Sequence, residues 1–170
     1  MEKEEIIKNS NNIEFIEKAV KEKGKNLEWA SDELKDNKKI VLEALEQDGE
    51  ALEFASDRLK DDREVLLKAI EAAPWTACYA SERLLRDKEI IMASVKNYGQ
   101  TLYYASEKLR DDEDVVKAAV TNKGLIIKYA SLRLRSNKEI AKIAIEQDKR
   151  AYHFLAKELK EDEEIKTMLN

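Results

Sequence analysis

The sequence predicts an all-α fold, an α-solenoid or superhelical array of short helix-turn-helix repeats with a 25-residue period. The first observation is a phrase of an aromatic residue, Ala, Ser, two variable residues and Leu, which recurs without gaps at Trp29, Phe54, Tyr79, Tyr104 and Tyr129. The second is an amphipathic segment after each phrase, which an Asn or Asp precedes. Self-similarity at a fixed period of about 20 to 50 residues is typical of stacked repeats, so we expect neighbouring repeats to share a core.

The repeats divide a single predicted domain, 1–170, into successive units. A partial unit, 1–24, precedes complete units at 25–49, 50–74, 75–99, 100–124 and 125–149. The last unit, 150–170, is degenerate, because Leu155 and Ala156 replace the Ala and Ser of the phrase. Terminal repeats often diverge in this way, since one of their faces has no neighbouring repeat.

The recurring phrase, with the residues just before it, has the spacing of one α-helix, which we call helix A. Its small and apolar residues recur at i, i+3, i+4 and i+7 and so share one helix face, as in Leu52, Ala55, Ser56 and Leu59. We expect the small Ala and Ser to let neighbouring helices approach closely. The repeated serine is interpreted as a packing residue or a hydrogen-bond donor to the preceding turn, because a catalytic serine does not need five copies.

The amphipathic segment after each phrase predicts a second helix, helix B. In the copy "DREVLLKAI", an apolar stripe is formed by Val65, Leu66, Ala69 and Ile70. Short polar side chains that can cap a first turn start the copies at Asn37, Asp62, Asp87, Asp112, Asn137 and Asp162. We expect a glycine in the left-handed conformation to end the helix at Gly24, Gly49, Gly99 and Gly124. Pro74 and Lys149 each take that position once.

Each predicted unit is too small to fold alone. Helices of about ten residues are marginally stable in water, and one pair of them buries few large apolar side chains. The units must therefore stack on one another, which explains why the chain repeats one phrase.

A unit such as "ALEFASDRLKDDREVLLKAIEAA", from Ala51 to Ala73, resembles the repeats of domain of unknown function 4116. The resemblance rests on the aromatic-Ala-Ser-x-x-Leu phrase and on the Asp or Asn that opens the next helix, and it covers nearly the whole chain. It implies a helical repeat fold. It implies no activity and no catalytic residues. Pro74 and the degenerate last unit depart from the pattern.

The composition argues against several functional classes. Lys and Arg number 31 against 36 Asp and Glu, so the net charge of −5 specifies neither a nucleic acid nor a membrane as partner. Cys78 is the only cysteine, which excludes an internal disulfide and suits a cytoplasmic location. No stretch approaches the roughly 18 apolar residues of a membrane span. We expect a cytoplasmic protein with no cofactor, no metal site and no enzymatic activity. The sequence leaves the oligomeric state open, including dimerisation through the terminal repeats, and we favour a monomer.

Residues that the repeat does not require form the candidate binding surface. Trp75 and Tyr98 are aromatic at positions that hold varied residues in the other copies, and aromatic side chains are enriched at binding hot spots. The sequence therefore predicts a non-catalytic protein or peptide interaction module with partner-binding residues Trp75, Cys78, Tyr98, Tyr103, Leu125 and Lys128. In the alternative interpretation, Trp75 fills space around the Pro74 turn and the tyrosines cover the adjacent groove.

Two other functions remain open. Basic residues near the turn between helices A and B would form a ladder for the phosphates of a nucleic acid, and this basic ladder comprises Arg58, Arg83, Arg86, Lys108, Arg110, Arg133 and Arg135. The same cations would also complement the negative ends of the A helices, and nearby acids reduce their net charge. The third hypothesis is a small bacterial or phage protein that inhibits a larger enzyme.

Overall fold

The protein is built from short α-helices and 3₁₀ helices. The computed structural model describes residues 1–169, and no β-strand occurs among them. Neighbouring helices repeat the same contacts along the chain, so the predicted all-α helical repeat array is confirmed. The chain divides into two compact parts, Met1–Leu84 and the residues from Leu85 onward. We call these two parts the first unit and the second unit, and each of them contains several of the 25-residue repeats. The boundary falls inside the predicted repeat 75–99.

The first unit alternates long and short helices. Its α-helices are α1 (Lys3–Lys8), α2 (Ile13–Glu22), α3 (Asp32–Lys35), α4 (Lys38–Gln47), α5 (Asp57–Lys60) and α6 (Arg63–Ala72). Its 3₁₀ helices are Gly24–Trp29, Gly49–Phe54 and Pro74–Tyr79, and a further one, Leu84–Arg86, lies at the unit boundary.

The second unit follows the same order. Its α-helices are α7 (Lys88–Val95), α8 (Glu107–Arg110), α9 (Glu113–Asn122), α10 (Leu132–Arg135), α11 (Lys138–Gln147), α12 (Lys157–Lys160) and α13 (Glu163–Thr167). Its 3₁₀ helices are Gly99–Tyr103, Gly124–Tyr129 and Lys149–Phe154.

The prediction of helix A as one continuous α-helix is wrong. The segment is instead a 3₁₀ helix that ends at or next to the aromatic residue of the phrase, as in Gly49–Phe54, followed by a serine that caps a short α-helix of four residues, as in Asp57–Lys60. The Ser56 side chain accepts a hydrogen bond from Leu59 N at 3.2 Å. Its backbone N–H donates to Lys35 O of the preceding repeat at 3.1 Å, rather than to a carbonyl within its own helix. The serine therefore starts a new helix and joins two repeats.

The left-handed conformation predicted for the glycines is also wrong. No residue between 1 and 169 has a positive φ. The glycines instead begin 3₁₀ helices and lie against helix B of the following repeat. A Cβ atom on Gly49 would be 2.7 Å from Ala69 O, and one on Gly99 would be 2.6 Å from Ala119 O. Glycine is required because only a residue without a Cβ allows this approach of two backbones.

The predicted starts of helix B are confirmed. The Asp62 carboxylate, for example, accepts hydrogen bonds from Glu64 N at 3.0 Å and Val65 N at 3.2 Å. The same kind of cap begins the other B helices at Asn12, Asn37, Asp87, Asp112, Asn137 and Asp162. These caps satisfy amides that have no partner within the helix.

The B helices supply much of the core of each unit. In α6, the side chains of Val65, Leu66 and Ala69 are fully buried. In the first unit α2 packs on α4 and α4 on α6, and in the second α7 packs on α9 and α9 on α11. Burial of one large aliphatic side chain contributes about 1.5 to 3 kcal/mol, so each repeat is stabilised by the next. Among the helices of residues 1–169, none reaches the length and hydropathy of a membrane span.

Candidate partner-binding groove

A groove lies between two successive 3₁₀ helices of the second unit, Gly99–Tyr103 and Gly124–Tyr129, and has a volume of about 430 Å³. One side is formed by Tyr98, Gln100, Tyr103 and Tyr104. The other side is formed by Lys123, Leu125, Ile126, Lys128 and Tyr129. We call this surface the tyrosine groove.

The tyrosine rings of the groove hold one another in place. The ring centroid of Tyr103 is 5.0 Å from that of Tyr104 and 4.9 Å from that of Tyr129, with interplanar angles of 81° and 62°. Edge-to-face pairs of this kind contribute about 0.5 to 1.5 kcal/mol beyond the area they bury. Tyr103 is nevertheless 56% exposed and Tyr104 41% exposed. The groove therefore offers a fixed aromatic surface to solvent.

Two lysines give the groove its charge. The Lys128 ammonium lies 4.7 Å from the ring centroid of Tyr129 and 5.9 Å from that of Phe154, which are cation–π distances. Lys123 follows the end of α9 and lines the same groove. Neither lysine makes an ion pair with any residue between 1 and 169, and no carboxylate lines the groove.

The equivalent position in the first unit is crossed by an ion pair. Between the 3₁₀ helices Gly24–Trp29 and Gly49–Phe54, Lys25 pairs with Glu50 and lies 3.9 Å from Asp48. Glu50 also accepts a hydrogen bond from the indole N–H of Trp75 at 2.9 Å. The hydrogen bonds from Lys25 and then from Trp75 lower the pKa of Glu50. Gln100 and Leu125 occupy the places of Lys25 and Glu50 in the second unit, so no ion pair crosses the tyrosine groove.

Four of the six sequence-predicted binding residues meet in the tyrosine groove: Tyr98, Tyr103, Leu125 and Lys128. The other two lie in the first unit, on the 3₁₀ helix Pro74–Tyr79. Trp75 is 42% exposed and contacts Glu50. Cys78 is half-buried, and burial raises the pKa of its thiol.

Sequence reasoning missed Gln100, Tyr104, Lys123 and Tyr129 as groove residues. Both tyrosines fill the aromatic position of the phrase, so the repeat pattern assigned them to packing. A comparison of columns would have found them. Lys25 and Glu50 share one column of the 25-residue period, and Gln100 and Leu125 are the successive pair in that column that replaces both charges, in repeats that have tyrosine at phrase positions 104 and 129 and lysine at 123.

Three arginines of the predicted basic ladder take part in an inter-repeat contact. Arg58 Nε lies 2.9 Å from Asp36 Oδ1, Arg83 Nε lies 3.1 Å from Asp61 Oδ1, and Arg133 Nε lies 2.9 Å from Asp111 Oδ1. The same carboxylates accept hydrogen bonds from the hydroxyls of Ser56, Ser81 and Ser131. We call this arrangement the Asp-Ser-Arg latch. The hydrogen bond from the serine hydroxyl, which has the larger effect, and the hydrogen bond from the arginine both hold the pKa of each aspartate below its ordinary value.

The remaining ladder residues have other environments. Arg110 and Arg135 are half-buried, and Arg135 donates a hydrogen bond to Phe154 O at 3.3 Å. Arg86 stands at the position that the latch aspartate, such as Asp36 or Asp61, has in other repeats. Lys108, which is exposed, stands at the position of the latch arginine in the following repeat. The ladder is therefore a mixture of ion-paired, half-buried and exposed cations.

The repeats match a known family along most of the chain. Four overlapping segments, 12–60, 37–85, 62–110 and 112–160, match the family described as Domain of unknown function (DUF4116). The chain belongs to the DUF4116 family. No match was found among curated proteins or among solved structures. The 3₁₀ helices that form the tyrosine groove lie within the matched segments 62–110 and 112–160, so the groove is built on DUF4116 repeats rather than on an insertion.

Proposed function

We propose that this DUF4116 protein is a non-catalytic interaction module that binds a peptide segment of a partner protein in the tyrosine groove. The observation that carries the proposal is Tyr103, which is 56% exposed although Tyr104 and Tyr129 hold its ring in place. A rigid exposed tyrosine loses little conformational entropy on binding. Tyrosine is also among the residues enriched at binding hot spots.

The repeat architecture does not require this surface. The first unit packs equivalent 3₁₀ helices with the Lys25–Glu50 ion pair between them, so repeats stack without tyrosine at position 103 or leucine at position 125. Half-buried Leu125 and exposed Tyr103 give the groove apolar area that a ligand can remove from water.

The contacts of the repeated serines support a non-catalytic role. Each of Ser31, Ser56, Ser81, Ser106 and Ser131 accepts a hydrogen bond from the backbone amide of the leucine three residues later. Three of their hydroxyls also belong to the Asp-Ser-Arg latch. These contacts account for the serine as a structural residue. The cytoplasmic location expected from the lone cysteine is part of the same proposal.

A single-stranded nucleic acid is the second candidate ligand. The observation that favours it is the combination of Tyr103 and Lys128 in one groove, because bases stack on aromatic rings and phosphates pair with lysine. A peptide fits better, because a nucleic acid needs a cationic track along several nucleotides. Arg133, which belongs to the ladder of the same unit, is paired with Asp111. The inhibitor hypothesis stays a prediction.

The test uses a variant that closes the groove by copying the first unit. Gln100→Lys combined with Leu125→Glu places the Lys25–Glu50 pair between the two 3₁₀ helices without changing the net charge. Peptides are selected from an unbiased displayed library on the unmodified chain, and their Kd values are then measured by fluorescence anisotropy. We expect the closing variant to raise Kd at least about tenfold, the effect of losing a hot-spot contact.

The control is Leu132→Ala, because Leu132 is 63% exposed in the same unit and does not line the groove. This variant should leave Kd unchanged. The proposal fails if the selected peptides bind the closing variant as tightly as the unmodified chain.

A further inference from the structure

We infer that the segment bound in the tyrosine groove is acidic and extended, with two carboxylates that pair with Lys123 and Lys128. An apolar side chain between them packs on the tyrosines. This inference rests on the proposed function and adds the chemistry of the partner to it. It begins with the local charge, because the groove is lined by two lysines and no carboxylate in a chain whose net charge is −5.

The first unit reverses the charge at both lysine positions. Three 25-residue periods before Lys123 and Lys128, the chain has Asp48 and Glu53. Asp48 there has an internal cation, since Lys25 lies 3.9 Å away. In the second unit the lysines have no ion-pair partner among residues 1–169. A ligand that carries negative charge can therefore pair with these two lysines.

The position of Lys128 suits an incoming carboxylate. Its ammonium rests 4.7 Å from the centroid of the Tyr129 ring, so the aromatic ring restrains the lysine side chain beside the groove. The residue itself is exposed, which leaves the ammonium accessible to a carboxylate from solvent. A charge-assisted hydrogen bond of this kind is roughly twice as strong as a neutral one.

The dimensions of the groove set the spacing of the ligand. The 3₁₀ helix Gly124–Tyr129 has six residues and is about 12 Å long at a rise of about 2.0 Å per residue. An extended peptide rises about 3.3 Å per residue and would cover it with about four residues. Lys123 precedes this helix and Lys128 lies near its end. Side chains of an extended peptide that face the groove recur at every second residue, so the paired carboxylates would stand about four residues apart, with the apolar side chain midway between them.

The test compares two displayed peptide libraries of equal length on the intact chain. In one library Asp and Glu are the only charged residues, and in the other Lys and Arg are. A binder is counted as groove-dependent when Gln100→Lys with Leu125→Glu abolishes its binding. We expect groove-dependent binders to be at least about tenfold more frequent in the acidic library. Lys123→Glu combined with Lys128→Glu should reverse that preference.

Each outcome has a separate meaning. Groove-dependent binders drawn equally from both libraries, or mainly from the basic one, would overturn the acidic inference and leave the proposed function standing. No groove-dependent binder in either library would overturn both. An oligothymidylate probe is titrated in parallel, and its groove-dependent binding in the absence of groove-dependent peptides would replace both with nucleic-acid binding. If the closing variant fails to fold by circular dichroism, Tyr103→Ser, which changes one exposed side chain, takes its place.

Discussion

Ser131 shows how one residue caps a helix and joins two repeats. Its hydroxyl accepts a hydrogen bond from Leu134 N at 3.2 Å and donates one to Asp111 of the preceding repeat. Ser106 caps its helix in the same way, with Leu109 N at 3.4 Å, but Arg86 stands at the position of the aspartate. A comparison of these two serines therefore distinguishes the contribution of the helix cap, which both serines make, from that of the latch, which only Ser131 makes.

We predict that Ser131→Ala destabilises the protein more than Ser106→Ala. Loss of an N-cap costs about 1 kcal/mol in each variant. Ser131→Ala also removes a hydrogen bond to a carboxylate, and such charge-assisted bonds are the stronger ones. Urea unfolding followed by circular dichroism measures both free energies. Equal losses in the two variants would show that the latch contributes nothing to stability.

The same pair of variants gives a pH dependence. The Ser131 hydroxyl and Arg133 hold the pKa of Asp111 below its ordinary value in the folded protein. The stabilisation is then complete above the pKa of an unfolded aspartate, about 3.9, and is lost as the pH falls through the lower folded-state pKa. The difference between the two variants should persist from neutral pH to about pH 4 and shrink below it. A difference that is unchanged in stronger acid would argue against the ionised carboxylate.

At the scale of single elements, the sequence predicts helix B correctly and helix A incorrectly. Helix B is specified locally, by its apolar stripe and by a cap such as Asp62. The phrase has helical spacing too, but the backbone N–H of Ser56 donates to the preceding repeat and the aromatic residue ends a 3₁₀ helix. Periodicity alone cannot reveal a hydrogen bond that leaves the segment.

The glycine at the start of a 3₁₀ helix gives a second test at this scale. A Cβ on Gly99 would lie 2.6 Å from Ala119 O, and a backbone carbonyl cannot rotate away as a side chain can. Gly99→Ala should therefore cost about 1 to 3 kcal/mol, the usual effect of overpacking. The matched control is Lys149→Ala, because Lys149 has the same repeat position and is exposed. Thermal unfolding should show a lower Tm for Gly99→Ala alone, and equal Tm values would contradict the close approach.

For the whole molecule, the sequence specifies the repeat and part of the candidate site. The 25-residue period predicts a repeat array, and the helical spacing of apolar residues with an Asp or Asn cap inside each copy predicts that the array is all-helical. Departures from that period located Tyr98, Tyr103, Leu125 and Lys128, which line one groove. The repeat pattern did not single out Tyr104 and Tyr129, because every copy of the phrase has an aromatic residue at that position. Their second role depends on how two adjacent 3₁₀ helices face each other, which no single repeat encodes.

The most direct measurement of the central claim is a map of backbone amide chemical shifts by NMR while the isotope-labelled chain is titrated with a selected peptide. Binding in the tyrosine groove predicts that the largest changes occur at residues 98–104 and 123–129. The equivalent residues 23–29 and 48–54, which the Lys25–Glu50 pair crosses, should change little. Largest changes at those residues, or along the basic ladder, with 98–104 and 123–129 unaffected, would contradict the account.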